Sequence, residues 1–218
     1  MEVNPYMLRL SKHSTHKLII DLVGRDRTVL DVGCNSGYIG ASAHRSNTFY
    51  GIDYLPGTAA KAKKIYKDAA VYDINTLEPL PWKKRFDAII LADVLEHLND
   101  PERALAYLTK KYLAPGGEVI ISLPNVANWS IRLKLLLGKF NYTETGILDQ
   151  THLHLYTFQS AKQLVKTSGL HTKRELGGTS FFGPLIRILP MFRGALAHEI
   201  VLCAGHVHDE MNPATSLT

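Results

Sequence analysis

The chain has 218 residues, of which 45% are hydrophobic and 21% are charged, and this composition is typical of a globular protein rather than a disordered one. A net charge of +5 without dense Lys/Arg runs argues against a dedicated nucleic-acid-binding protein. Two cysteines cannot build a disulfide framework and no apolar run approaches a membrane span of about 18 residues, so we expect a soluble, cytoplasmic protein with no nucleic-acid partner.

Short apolar segments alternate with amphipathic segments along the first part of the chain. Near-continuous apolar character is typical of strands that are covered on both faces, as in a parallel sheet. The predicted strands are Thr28–Val32, Thr48–Asp53, Ala69–Asp73, Phe86–Asp93 and Glu118–Leu123.

Helices are predicted between these strands. The best marked of them has Asp100 as its cap, Pro101 at its first position and Glu102 where it complements the helix dipole. Strands alternating with helices at this spacing predict a doubly wound α/β fold. The predicted helices span residues 12–23, 37–45, 57–67 and 101–113.

The pattern changes after the fifth strand. We expect one domain over residues 1–208, with a small helical cap formed by two apolar, basic insertions, and a flexible tail at the end of the chain. The excess positive charge lies mainly in residues 128–208, where nine Lys/Arg accompany four Asp/Glu. The two predicted cap insertions are residues 126–156 and 178–196. A further helix is predicted at 157–168, two further strands at 170–176 and 198–204, and the tail at 209–218.

Four of the predicted strands end on an aspartate. The carboxyl ends of strands in an open α/β sheet are where ligands bind, so these carboxylates predict an acidic rim at one edge. Such a rim favours a cationic or zwitterionic ligand over an anionic one. The four residues are Asp31, Asp53, Asp73 and Asp93.

A glycine-containing turn follows the first strand. Gly33 and Gly37 permit a tight turn and a close backbone approach to a ligand, but the spacing is not that of the dinucleotide-binding fingerprint. Asp53 follows Asp31 by 22 residues, a placement that suits a carboxylate accepting hydrogen bonds from both hydroxyls of a ribose.

These residues resemble the class I S-adenosylmethionine-dependent methyltransferases. Asp31–Gly37 resembles the first motif of that family, Leu91–His97 the fourth motif of its ubiquinone-type members, and Leu113–Ile121 the turn into strand five. The resemblance spans about residues 15–204 and implies a Rossmann-like, seven-stranded sheet whose last strand is antiparallel. It also implies S-adenosylmethionine as cofactor and S-adenosylhomocysteine as product.

The resemblance implies a set of cofactor contacts. Asp53 would hold the ribose, Tyr54 would lie beside the adenine, and Asp73 with Ile74 would meet the adenine amino group. The middle glycine of the first motif is Asn35 here; asparagine tolerates left-handed backbone better than most residues. The implied cofactor-binding residues are Asp31, Gly33, Cys34, Asn35, Gly37, Asp53, Tyr54, Asp73, Ile74, Leu91, Ala92 and Asp93.

The segment Leu148–Thr157 contains the candidate catalytic residues. A neutral histidine can remove a proton near physiological pH, so His152 is predicted as a base, with Asp149 orienting it or binding the acceptor. The alternative is that both residues anchor the loop. No metal is expected, because Asp93 and Asn125 lack an evident third ligand.

The acceptor is less closely defined by sequence. The segment after strand four lacks the Asn/Asp-Pro-Pro-aromatic stretch of amino-group methyltransferases. We therefore expect O-methylation of a sugar, a lipid-linked saccharide or a secondary metabolite. C-methylation of a quinone-like ring and a non-catalytic cofactor-binding partner subunit stay as alternatives. The two apolar, basic insertions predict either a lid or a contact with a lipid-linked acceptor or a membrane surface.

Overall fold

A seven-stranded sheet in the order β3-β2-β1-β4-β5-β7-β6 forms the centre of the protein. The computed structural model describes residues 13–179 and 188–206. The strands are β1 (Thr28–Val32), β2 (Thr48–Asp53), β3 (Asp68–Val71), β4 (Phe86–Ala92), β5 (Leu113–Pro124), β6 (Leu170–Gly178) and β7 (Glu199–His206).

The helices between the strands begin at capping residues that the sequence provides. Ser14 accepts a hydrogen bond from Lys17 N at the start of the first helix, and Asp100 accepts one from Arg103 N, as predicted. The helices are α1 (Thr15–Val23), α2 (Tyr38–Ser42), α3 (Pro56–Ala62), α4 (Pro101–Tyr112), α5 (Trp129–Leu136), α6 (Phe158–Thr167) and α7 (Arg193–Leu196), with 3-10 turns at Ile74–Thr76, Leu95–His97 and Pro190–Phe192.

Strand β7 is antiparallel to its neighbours. The first five strands pair in parallel, whereas Ser122 of β5 lies opposite Val201 of β7 in an antiparallel register. Strand β6 also pairs with β7 in antiparallel fashion. This arrangement confirms the predicted Rossmann-like sheet and its antiparallel last strand.

Two apolar cores cover the two faces of the sheet. Alternate residues of a strand point to opposite faces of the sheet. Ile89 and Leu91 of β4 therefore belong to one core, together with residues of α4 and α6. Ala88 and Ile90 belong to the other core, together with residues of α1. Burial on both faces explains why these strands read as continuous apolar segments. Among the described residues, no helix combines the length and the apolar character needed to cross a membrane.

Several predicted boundaries differ from the observed ones. Strand β3 ends at Val71, two residues before Asp73, because Asp73 instead caps the 3-10 turn that follows. Strand β5 begins at Leu113 because Leu113 pairs with Phe86 before the register shifts to Ala88 and Glu118. Residues 180–187 of the second insertion and the predicted tail at 209–218 lie outside the described residues.

Candidate active site

A cavity of about 1220 Å³ opens where β1, β2 and β4 end. Residues 128–130, 144–146, 149 and 151, together with the start of β7, form its other walls. Of the predicted cofactor-binding residues, Gly33, Asn35, Asp53, Tyr54, Asp73, Ile74, Ala92 and Asp93 line it. Asp31, Cys34, Gly37 and Leu91 do not, because they lie behind the residues that form the wall.

The turn after β1 is built from left-handed backbone. Gly33, Asn35 and Gly37 have φ angles of 69°, 47° and 81°. The amides of Gly33 and Cys34 both donate to the Ile52 carbonyl, at 2.8 and 3.0 Å, which holds the turn against the end of β2. Asn35 therefore takes up the left-handed conformation for which the glycine of the motif is suited.

Asp53 is fixed by three hydrogen bonds at the end of β2. One oxygen accepts from the Asn35 amide at 2.8 Å, and the other accepts from the Leu55 amide at 2.9 Å and the Thr58 hydroxyl at 2.7 Å. A carboxylate offers about four acceptor positions, so these three bonds leave capacity for a ligand hydroxyl. Asp53 thus connects the glycine turn to the cavity wall.

Asp31 occupies a different position from the other aspartates. It lies inside β1, with Val32 as the last residue of the strand, and its side chain is 1% exposed beneath the turn. One oxygen accepts from the Tyr66 hydroxyl at 2.6 Å, and the other has no hydrogen-bond partner among the described residues. Burial raises the pKa of Asp31 to about 7; the bond from Tyr66 opposes the shift and the charge of Asp53 adds to it.

Asp93 follows β4 in a left-handed conformation, with φ of 53°. Its carboxylate accepts from the Ser122 hydroxyl at 2.6 Å, and its amide donates to the Ser122 carbonyl at 3.2 Å. Asp73 accepts from the Asn75 amide at 2.9 Å. These contacts hold both carboxylates in defined positions at the cavity edge.

A loop that we call the histidine loop, residues 147–156, is attached to the 3-10 turn after β4. The amides of Leu153 and His154 donate to the Glu96 carbonyl at 2.8 and 3.1 Å. The His154 ring donates from Nε2 to the Leu98 carbonyl at 3.0 Å. The loop therefore lies beside the end of β4, and Asp149 and Thr151 of the loop line the cavity.

His152 is oriented by a backbone carbonyl rather than by Asp149. Its Nδ1 donates to the Ile147 carbonyl at 3.1 Å, which leaves the Nε2 lone pair available. Asp149 instead accepts from the amide and hydroxyl of Thr151, at 2.8 and 2.7 Å. Burial lowers the pKa of His152, so its ring is neutral at physiological pH. Asp149 lines the cavity, which fits the second of its predicted roles, acceptor binding.

Three residues near the cavity received no role from the sequence. His97 lines the cavity and its ring lies 4.8 Å, between centroids, from the ring of His152, which is not itself in the cavity wall. Glu199 also lines it, and burial together with the charge of Asp93 raises its pKa to about 7. Glu96 is fully buried behind them. For His97 and Glu96, the available signal in the sequence was the Glu-His pair that begins three residues after Asp93.

Comparisons with known proteins bear on this site. Residues 7–174 match a family model described as a methyltransferase domain. The chain is 35% identical over 108 residues to the mitochondrial ubiquinone biosynthesis O-methyltransferase of Candida albicans, covering 45% of this chain and 32% of that protein. It is 39% identical over 111 residues to a tRNA U34 carboxymethyltransferase of Klebsiella pneumoniae, covering 46% of this chain and 31% of that protein. The chain thus spans about a third of the length of these relatives.

A solved structure shares the fold. The magnesium protoporphyrin IX methyltransferase of Synechocystis PCC 6803 with bound S-adenosylhomocysteine superimposes with a TM-score of 0.60. The two chains are 14% identical, and the superposition covers 88% of this chain and 82% of that one.

Replacing Asp31 tests the burial of its carboxyl group. Because the pKa is higher in the folded protein than in the unfolded one, the folded state binds more protons between about pH 4 and 7, and stability falls as pH rises through that window. In Asp31→Asn this contribution is absent. As the pH rises, the free energy of unfolding of the native protein should therefore fall, relative to that of the variant, by up to about 1.4 kcal/mol per pH unit. Urea unfolding at a series of pH values from 4 to 8 measures this difference.

The exposed Asp26→Asn change is the control for loss of one negative charge, and its profile should run parallel to that of the native protein. A difference between native protein and Asp31→Asn that stays constant across this pH range would contradict the assignment.

Proposed function

Because the chain belongs to the methyltransferase-domain family, we propose that it transfers the methyl group of S-adenosylmethionine to an oxygen atom of a small-molecule acceptor. The family match confirms the predicted methyltransferase and supports S-adenosylmethionine as its cofactor. The shared fold confirms the Rossmann-like sheet. The acceptor, the atom that is methylated and the roles of individual residues are part of the proposal.

The observation that carries the proposal is the acidic edge of the cavity. Asp53, Asp73, Asp93 and Glu199 all line it, next to a turn whose backbone can approach a ligand closely. S-adenosylmethionine carries a sulfonium and an ammonium group, and both are attracted to carboxylates in a partly buried site. Asp53 has the free acceptor capacity that a ribose requires.

The reaction is an in-line displacement. The acceptor oxygen attacks the methyl carbon, the carbon–sulfur bond breaks with its electron pair passing to sulfur, and the acceptor's hydroxyl proton is removed. Alignment of the three reacting atoms supplies much of the rate. We assign acceptor binding to Asp149 and Thr151, which line this end of the cavity, and proton removal to the adjacent histidines, with His152 as the predicted base.

An amphiphilic acceptor is supported by α5 and the residues that follow it. Trp129 lines the cavity, and the helix continues into exposed apolar side chains, with Leu136 82% and Leu137 63% exposed. Lys134 and Lys139 lie beside them in the sequence, and residues 128–208 carry most of the chain's net positive charge. This combination favours a lipid-linked or otherwise amphiphilic acceptor that is anchored next to the site.

The matched relatives leave the acceptor class open to test. One is named for ubiquinone biosynthesis, which keeps quinone-like acceptors among the alternatives, and the other for a tRNA. The expectation of no nucleic-acid partner, drawn from net charge, is therefore not confirmed.

Binding of S-adenosylhomocysteine tests the proposed function. Isothermal titration calorimetry should give one site per chain, with no comparable binding of NAD. Asp53→Asn should weaken the affinity at least about tenfold, since it removes the charge and disturbs the bond to Asn35.

Asp68→Asn is the matched control, because Asp68 is held by a comparable set of hydrogen bonds but does not line the cavity. Its affinity should equal that of the native protein. A preference for NAD, or equal affinities of Asp53→Asn and the native protein, would overturn the proposal.

Vesicle binding tests the amphiphilic acceptor. Leu136→Glu combined with Leu137→Glu should reduce co-sedimentation with phosphatidylglycerol-containing vesicles at low salt by about fivefold or more, because two apolar contacts are replaced by charges that anionic lipid repels. Ile65→Glu, at a site 50% exposed in another part of the fold, is the control. Absence of vesicle binding by the native protein at low salt would count against the membrane-associated form of the proposal.

A further inference from the structure

We propose that Glu96, His97 and His152 form a binding site for a divalent transition-metal ion beside the cavity. Each of the three offers one ligand atom, and these atoms all lie within 4.8 Å of one another. Glu96 and His97 belong to the 3-10 turn after β4, and His152 to the histidine loop that is bonded onto that turn. The site therefore exists only because two segments 55 residues apart meet at the acceptor end of the sheet edge.

The burial of Glu96 is an independent observation in favour of the site. Its side chain is 0% exposed, and neither carboxylate oxygen has a hydrogen-bond partner among the described residues. A buried carboxylate in such a position is normally paired or coordinated to a metal.

Both histidines are held in the orientation of metal ligands. His97 donates from Nδ1 to the Thr151 carbonyl at 3.2 Å, and His152 donates from Nδ1 to the Ile147 carbonyl at 3.1 Å. Each therefore keeps its Nε2 lone pair, and metal-bound histidines characteristically donate their other ring N–H to a carbonyl in this way.

The ligand set points to a class of ion. Two imidazoles and one carboxylate suit Zn²⁺, Mn²⁺, Fe²⁺ or Co²⁺, whereas Mg²⁺ and Ca²⁺ prefer all-oxygen sites. This site differs from the Asp93–Asn125 pair considered from sequence, since the Asn125 amide is occupied by bonds to the Gly194 and Ala197 carbonyls and the Ala127 amide. The expectation of no metal is revised by this proposal.

The chemical role of the ion rests on the proposed function. An ion held by Glu96, His97 and His152 would keep coordination positions open and would supply a Lewis acid that makes an acceptor hydroxyl easier to deprotonate. His152 then acts as a ligand and not as a base, because both roles require the same Nε2 lone pair. An oxygen acceptor benefits directly from such an ion.

Metal binding can be measured without any acceptor. Untagged full-length protein is stripped with a chelator and titrated with Zn²⁺ by calorimetry and with Co²⁺ by visible absorption. We expect one ion per chain and a Co²⁺ spectrum typical of nitrogen and oxygen ligands. Glu96→Gln and His152→Gln should each weaken binding about tenfold or more.

His154→Gln is the matched control, since His154 lies in the same loop but directs its ring to the Leu98 carbonyl; its metal affinity should be that of the native protein. Circular dichroism and S-adenosylhomocysteine titration establish that each variant is folded with an intact cofactor site. Binding of less than one ion per chain, or native affinity in Glu96→Gln, would overturn the metal site. Loss of S-adenosylhomocysteine binding by the native protein would instead overturn the proposed function.

Discussion

The hydrogen bond between the Asp53 carboxylate and the Asn35 amide, 2.8 Å long, is the contact on which the proposed cofactor half of the cavity depends. It joins the turn after β1 to the end of β2, and the Ile52 carbonyl strengthens the same junction by accepting from two amides of that turn. The backbone of β2 is tightly packed against this turn, because a Cβ added at Gly51 would lie 2.6 Å from the Cys34 sulfur. The turn, the strand end and the carboxylate therefore form one rigid unit, which is the pre-organisation that ligand binding requires.

The cavity joins two chemically different halves. Carboxylates at the ends of the parallel strands form the half to which we assign the cofactor, whereas the histidine loop, the beginning of α5 and the start of β7 form the half to which we assign the acceptor. Asp93 lies at their boundary, held by Ser122 of β5. The net charge of +5 conceals this division, because it adds the acidic strand ends to a basic, apolar segment in one sum. A cationic methyl donor and an amphiphilic acceptor would each meet the half that suits its chemistry.

The sequence predicted the sheet well because buried parallel strands leave continuous apolar segments, and it predicted the acidic edge because strand ends converge. It did not predict the surroundings of Asp31, because this residue precedes the last residue of β1 and its side chain lies against Tyr66 instead of the cavity. It also did not bring His97 to His152, which are 55 residues apart. That contact depends on backbone hydrogen bonds between a loop and a turn, and such bonds leave no pattern in the side chains.

A crystal structure of the protein with S-adenosylhomocysteine tests most directly whether the cofactor binds at the strand ends. We expect the ribose hydroxyls on Asp53 and the adenine between Tyr54 and Ile74. The homocysteine should lie against the Gly33–Asn35 turn, with the sulfur directed towards the histidine loop. A ligand bound outside this cavity, or bound with its adenine at the histidine loop, would contradict it.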